Sequence, residues 1–232
     1  MIYPSLKNTP IKEIVFSISY DEIVDKDCFK KFIELDKISN KFKSIQPSVV
    51  LEITNQGIKQ TEDQSSYHLK NEKEVLQLRK GSFSYHYLSS YLDYNLVLDT
   101  LISFWNDFNN EIKDDLTITS ISVRYINVLE TDSENLPSRL VQLYPKYSSD
   151  RNIINFQNSV QFTYNDFPEY IINVVSAKPQ KDFILLDITV SNKIKPETSK
   201  RMELKKIFEP LQEIKNKAFF DSITAKALIK YI

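Results

Sequence analysis

A period-two alternation of apolar and polar residues recurs along most of this chain and constrains its fold more than any other feature. Between Ile11 and Tyr20, the side chains of Ile14, Phe16, Ile18 and Tyr20 point one way, and those of Glu13, Val15, Ser17 and Ser19 the other. That is the signature of a strand with one apolar face. Val49–Thr54 predicts a second strand, and Tyr67–Lys70, Val75–Arg79 and Phe83–Leu88 predict three short ones. Asn71-Glu72-Lys73-Glu74 and Lys80-Gly81-Ser82 supply the turns between them. A long strand over Thr117–Leu129 opens the second half, followed by a polar loop over Glu130–Pro137 and a short helical or irregular piece around Arg139–Tyr144. Ile153–Thr163, Tyr170–Ala177 and Phe183–Ser191 then read as an antiparallel meander, turned at Asn165-Asp166-Phe167-Pro168 and Lys178-Pro179-Gln180-Lys181.

Helical spacing punctuates this pattern. Asp27 is the expected cap of a helix that places Phe29, Phe32 and Ile33 on one face. The strongest helix lies between Asp93 and Lys113, where Leu98, Leu101, Ile102, Trp105, Phe108 and Ile112 share a stripe and Trp105 reads as core. Met202, Leu204, Ile207, Phe208, Leu211 and Ile214 predict a C-terminal helix that Pro210 breaks or kinks, and Asp221-Ser222 is the expected cap of a last helix over Ile223–Tyr231. The order is β-α-β-β-β-β-α followed by β-(α)-β-β-β-α. The expected fold is α+β: a largely antiparallel sheet with helices on one face. Residues 1–232 form one compact unit on this reading, with half-repeats 1–115 and 116–232 resembling tandem ferredoxin-like or TBP-like units. No Gly, Ser or Pro-rich linker separates the halves.

Composition excludes several chemistries. With 41% hydrophobic and 26% charged residues the chain can bury a sizeable core. Its 30 basic and 31 acidic residues give a net charge of −1, which is no footprint for a polyanion. Only two glycines are present, Gly57 and Gly81, so neither a Walker A loop nor a Rossmann fingerprint can be assembled. Cys28, the one cysteine, admits no internal disulfide and reads as a small buried hydrophobe beside Phe29. Two histidines, His68 and His86, fall short of a zinc site even on neighbouring strands, so no metal and no cofactor is expected. No Gly-x-Ser-x-Gly elbow occurs. Met1-Ile2-Tyr3-Pro4 does not open a signal peptide, and the apolar runs are too short for a membrane span, so a cytoplasmic location without membrane contact is expected. Enrichment in Ile, Lys, Asn, Phe and Tyr reads as the product of an AT-rich bacterial genome.

Two constellations remain. Arg79, Lys80, Tyr85, His86 and Tyr87 gather on one hairpin, where aromatics would stack bases and cations would take phosphates. The competing reading has the tyrosines packing against helices and the charges solvated. Glu13, Arg124 and Asp187 fall by alternation on the sheet face away from the apolar layer, where an arginine fork can bridge two carboxylates as a fold-specifying ion cluster or a ligand site. A second basic stretch, Lys193, Lys195, Lys200, Arg201, Lys205 and Lys206, is interrupted by Glu197 and Glu203 and reads as a solvated helix face.

Asn8-Thr9-Pro10-Ile11-Lys12-Glu13-Ile14-Val15-Phe16 resembles the opening of a sporadically distributed bacterial family of similar length. Its members begin with a Pro-Ile-x-Glu-Ala-Val-Phe type strand and carry a central strand like Val123-Arg124-Tyr125-Ile126-Asn127. Leu185-Leu186-Asp187-Ile188 and Phe219-Phe220-Asp221-Ser222-Ile223-Thr224 fit its C-terminal pattern, while Ile14 departs from the small residue usual there. The resemblance implies a genomic context of defence islands or toxin–antitoxin loci rather than a reaction. It draws attention to Glu13, Arg124, Tyr125, Asn127 and Asp187 as binding residues. The expected function is a non-enzymatic accessory or regulatory subunit that binds a protein partner encoded by a neighbouring gene, with a homodimer as a further arrangement. The alternative is RNA binding or metal-independent RNA cleavage, with His68 or His86 as acid or base. That reading is weakened by the lack of any glycine after Gly81, since CRISPR repeat processors carry a glycine-rich loop near the C-terminus.

Overall fold

The computed structural model describes residues 3–4, 6–21, 24–54, 57–88, 93–112, 116–130, 141–142, 156–180, 183–195 and 203–232, with side chains outside 49–65 and 179–180. The described strands are β1 (Ile11–Tyr20), β2 (Ser44–Thr54), β3 (Gly57–Lys70), β4 (Glu74–Arg79), β5 (Ser82–Tyr87), β6 (Ile118–Glu130), β7 (Phe156–Tyr164), β8 (Phe167–Gln180) and β9 (Phe183–Lys193). The described helices are α1 (Lys26–Glu34), α2 (Asp36–Lys41), α3 (Tyr94–Asn110), α4 (Leu204–Ser222) and α5 (Ala225–Ile229). The strands form one nine-stranded sheet in the order β2-β3-β4-β5-β1-β6-β9-β8-β7. Every neighbouring pair is antiparallel. This is the expected α+β class.

The order carries an internal symmetry. In each half the first strand pairs with the last strand of its own meander: β1 with β5, and β6 with β9. A helix follows each meander, α3 in the first half and α4 in the second. The two first strands then pair antiparallel at the centre of the sheet. A ferredoxin-like half would interleave its elements as β-α-β-β-α-β. The observed order departs from that interleaving.

The core lies between one sheet face and the helices. Ile14, Phe16 and Ile18 of β1, Phe83 and Tyr85 of β5, Val123 and Tyr125 of β6, and Leu186, Ile188 and Val190 of β9 all point into it and are buried. Phe16 meets Tyr94 and Phe208 edge-on, at ring separations of 5.3 and 5.5 Å, and so holds α3 and α4 against the central strand. Phe108 of α3 contacts the rings of Tyr20, Phe29, Phe32, Phe83 and Trp105. Offset and edge-on aromatic pairs of this kind add to the value of plain area burial.

Several boundaries differ from expectation for physical reasons. β2 begins at Ser44, ahead of the predicted Val49, because a register shift between Pro47 and Ser48 absorbs the proline within the strand. Asp25, rather than Asp27, caps α1, its Oδ1 accepting from the Asp27 amide at 3.0 Å. α4 runs through Pro210 unbroken, its face pinned by Ile207 and Phe208 before the proline and Leu211 and Ile214 after it. Ser222 stays inside α4, bonded to the Ala218 carbonyl, and Thr224 caps α5 in place of Asp221-Ser222. The loop and irregular piece predicted over Glu130–Tyr144 lie outside the described residues except at Glu130, Val141 and Gln142. Among the described residues no helix is long and apolar enough to cross a membrane.

Candidate functional site

The sheet face opposite the helices carries no covering layer among the described residues, and strand register fixes what stands on it. One row runs Gln46, His68, Gln77, Ser84, Ser17, Ser122, Ser191, from β2 across to β9. A parallel row runs Arg79, Ser82, Ser19, Ser120, Lys193. The serines are half-buried between neighbouring strands, and Ser17 and Ser84 share a hydrogen bond of 2.9 Å. The centre of this face is therefore rich in short hydroxyl side chains that both donate and accept.

Beside these rows stand the predicted charges. Glu13, Arg124 and Asp187 do share the open face, but Arg124 does not bridge the two acids. Its Nε and Nη2 grip the Asp187 carboxylate at 2.6 to 3.0 Å. Glu13 is taken instead by His86, whose Nδ1 lies 2.6 Å from Oε1. The His86 hydrogen bond holds the Glu13 carboxyl below its usual range against partial burial, with Arg124 adding a smaller pull. The hydrogen bond to Asp187 in turn raises Arg124 against partial burial, so the guanidinium stays charged. One ion pair, Arg124 with Asp187, and one hydrogen bond, between His86 and Glu13, thus stand side by side on this face.

The basic-aromatic hairpin does not form a face. Tyr85 and Tyr87 point into the helix layer and are buried, while His86 between them points to the open side. Tyr85 donates to Glu74, and burial with that carboxylate raises its phenol well above the usual range. Arg79 sits on the open face at the sheet's periphery, and Lys80 lies in the turn that Gly81 closes with φ +78°. His68 and His86 are not on neighbouring strands, since β4 runs between them. Burial lowers His68, with Arg79 and His86 adding repulsion. No group of three or more potential metal ligands occurs among the described residues. Cys28 is partly exposed rather than enclosed. The basic stretch does not share one helix: Lys193 ends β9, Lys205 pairs with Asp99 at 2.7 Å, and Lys200, Arg201 and Glu197 lie outside the described residues.

Tyr125 and Asn127 belong to the other side of the sheet. Both are buried beneath α4, and the Asn127 amide donates to the Leu186 carbonyl at 3.0 Å. They line a cavity of about 260 Å³ between the N-terminal segment, β1, β6 and α4. The ring of Tyr3 stacks on Phe220 at 4.7 Å over this region, and the Lys7 amide bonds to the Tyr231 carbonyl at 2.8 Å, tying the N-terminal segment down. Lys215 of α4 also lines the cavity and is only 6% exposed. Its Nζ stands 4.0 Å above the Tyr125 ring and donates to Asn216 Oδ1 at 2.6 Å. Burial pushes its ammonium down to about 7. Sequence reasoning missed Lys215, although its spacing of four from Leu211 and from Phe219 placed it on the apolar stripe of α4. No protein-family model and no curated protein matches this chain, so the family resemblance rests on its short motifs.

Proposed function

We propose that this chain is a non-enzymatic accessory or regulatory subunit. It docks on a protein partner through the open face of its sheet, and that partner is the product of a neighbouring gene in a bacterial antiphage-defence or toxin–antitoxin operon. The observation that carries the docking reading is a face of the nine-stranded sheet that no described residue covers, with helices against its other side. At about 4.8 Å between strands and 3.3 Å per residue, its central area is on the order of 1,000 Å². A standard interface uses about 800 Å² per partner. Short serine side chains lose little rotamer freedom when covered, and the Arg124–Asp187 and His86–Glu13 contacts are already formed before a partner arrives. Two carboxylates, Glu13 and Asp187, stand near the middle of this face, where they oppose a phosphate backbone. Among the described side chains of β1, β4, β5, β6 and β9, alternation places a single aromatic ring on the open side, Phe183 at the end of β9 and away from the centre. These features favour protein over RNA.

The experiment is co-expression with the products of the adjacent genes, followed by size-exclusion chromatography with light scattering. Ser17→Arg and Ser122→Arg place bulky charge in the centre of the face. The expected result is a stoichiometric complex that both substitutions abolish while the melting temperature stays within about 2 °C. A chain that stays partner-free with every neighbour, or a complex indifferent to both substitutions, overturns the reading. Salt-sensitive binding of labelled RNA in place of a protein partner would transfer the face to nucleic acid, and self-association alone would transfer it to a second copy.

A further inference from the structure

We propose that the cavity under the N-terminal segment binds a small monocarboxylate with a short apolar tail, Lys215 supplying the cation and the Tyr3–Phe220 pair the apolar wall. This site is on the helix side of the sheet and is independent of the docking face.

The cavity is a built space rather than a packing fault. Its 260 Å³ is roughly eight or nine waters' share of liquid volume. It falls just under the range of pockets that take drug-sized ligands, which limits the occupant to a small molecule. Leu6, Ile11 and Phe219 line it together with the stacked aromatic pair. Such a lining favours an apolar body, and a single polar group then fixes its orientation.

That polar group is the Lys215 amine. A buried ammonium is ordinarily paired with a carboxylate. Here the contacts on the amine are the Asn216 side-chain oxygen and the face of Tyr125, both neutral. Among the described residues, the titratable groups lining the cavity besides Lys215 are the phenols of Tyr3 and Tyr125. Lys217, Asp221 and Glu213 act on Tyr3, whereas burial alone accounts for the displacement of Lys215. The site therefore contains one charge whose counter-ion the described residues do not provide. An ammonium offers three donors, and Asn216 takes one of them. One monoanion balances one ammonium. A phosphate dianion would import an unmatched charge, and no arginine fork lines the cavity to receive it. A cationic ligand would be repelled.

The occupant and the proton are linked. A carboxylate beside Lys215 favours its charged form, so binding above neutral pH must take up a proton. Calorimetry with benzoate and with hexanoate, each in two buffers of different ionisation enthalpy, measures that uptake. At pH 8 the unaltered chain is expected to take up close to one proton per ligand, and at pH 6 about one tenth of a proton. Affinity is expected to fall about tenfold per pH unit above 7. Burial raises the Tyr3 phenol above its ordinary value, so it stays neutral across this window. Lys215→Met is expected to lose at least tenfold in affinity, and benzyl alcohol, which is uncharged, to bind at least tenfold more weakly than benzoate. The proposal is overturned if neither acid binds at pH 6, if binding at pH 8 takes up no proton, if Lys215→Met binds as well as the unaltered chain, or if inorganic phosphate binds more tightly than either acid. The uptake measurement needs no variant and stands whether or not Lys215→Met folds.

Discussion

Replacing Lys215 by methionine removes a charge from the interior while keeping most of the side chain's length and packing, so its effect on stability can be worked out from the structure. Lys215 is 6% exposed, and burial holds its ammonium at about 7, against 10.5 for the ordinary side chain. Below pH 7 the amine is protonated in both folded and unfolded chains, and the full cost of burying the charge is present. Between pH 7 and 10.5 the unfolded chain holds a proton that the folded chain has released, so the stability of the unaltered protein rises with pH. Above 10.5 the amine is neutral in both states and the charge-burial cost vanishes. At about 1.4 kcal/mol per pH unit, the full cost is ~5 kcal/mol. The contact with the Tyr125 ring returns about 1–2 kcal/mol of this. Lys215→Met is thus expected to be more stable than the unaltered chain by about 3 kcal/mol at pH 6, a rise of roughly 6–12 °C in melting temperature for a chain of this size. The advantage should shrink to near zero by pH 10. Urea denaturation followed by circular dichroism, at intervals from pH 6 to 10, measures the difference directly. A variant less stable at pH 6, or a difference that does not change with pH, would show that the amine is solvated or paired and refute the reasoning.

Three further outcomes follow from particular contacts. Arg124→Ala leaves the carboxylate of Asp187, which is 8% exposed, without its fork and is expected to cost about 2–3 kcal/mol; Asp187→Ala leaves a half-exposed guanidinium in water and should cost less. The double variant is expected to recover part of the Arg124→Ala loss in chemical denaturation, and simple additivity would contradict that pairing. Glu13 is held below its usual range, so its hydrogen bond with His86 stabilises the fold at neutral pH and is lost as pH falls through that lowered value. Glu13→Gln should cost about 1 kcal/mol at pH 7 and flatten the acid limb of the stability curve, whereas an unchanged limb would deny Glu13 that role. Gly81→Ala should cost about 1–2 kcal/mol by thermal melting. Its added methyl would stand 3.3 Å from the Tyr20 carbonyl at a φ of +78°, and the Tyr20 amide already bonds to Gly81.

Alternation made the sheet legible where it was complete. β1 has the predicted ends, Ile11 and Tyr20, because every apolar residue from Ile14 onward on one parity is buried. The same parity placed Glu13, Arg124 and Asp187 together on the open face. It also argues against the aromatic hairpin, since adjacent Tyr85, His86 and Tyr87 must alternate sides; grouping them by proximity in sequence overlooked the pleat. Tyr125 and Asn127 were grouped with Arg124 in the same way, yet parity sends them beneath α4. The partner of Glu13 was not legible, because His86 reaches it only through the pairing of β1 with β5. Pro210 misled in the opposite direction: the local cost of a proline within a helix, about 3 kcal/mol, is offset by apolar burial on both sides of it. Lys215 carried a usable signal in its spacing from Leu211 and Phe219, but a lysine on an apolar stripe is usually expected to extend its amine to solvent.

The antiparallel contact of β1 with β6 has a bearing on assembly. Two first strands meeting head to tail at the middle of a sheet have the geometry of a two-fold dimer, here written into one polypeptide. Either half expressed alone would expose its first strand as an open edge with every second hydrogen-bonding group unsatisfied. That edge would be complementary to the missing half and, by the same symmetry, to another copy of itself. Covalent joining of the halves fills each edge with its intended neighbour at high effective concentration and so suppresses the alternative pairing.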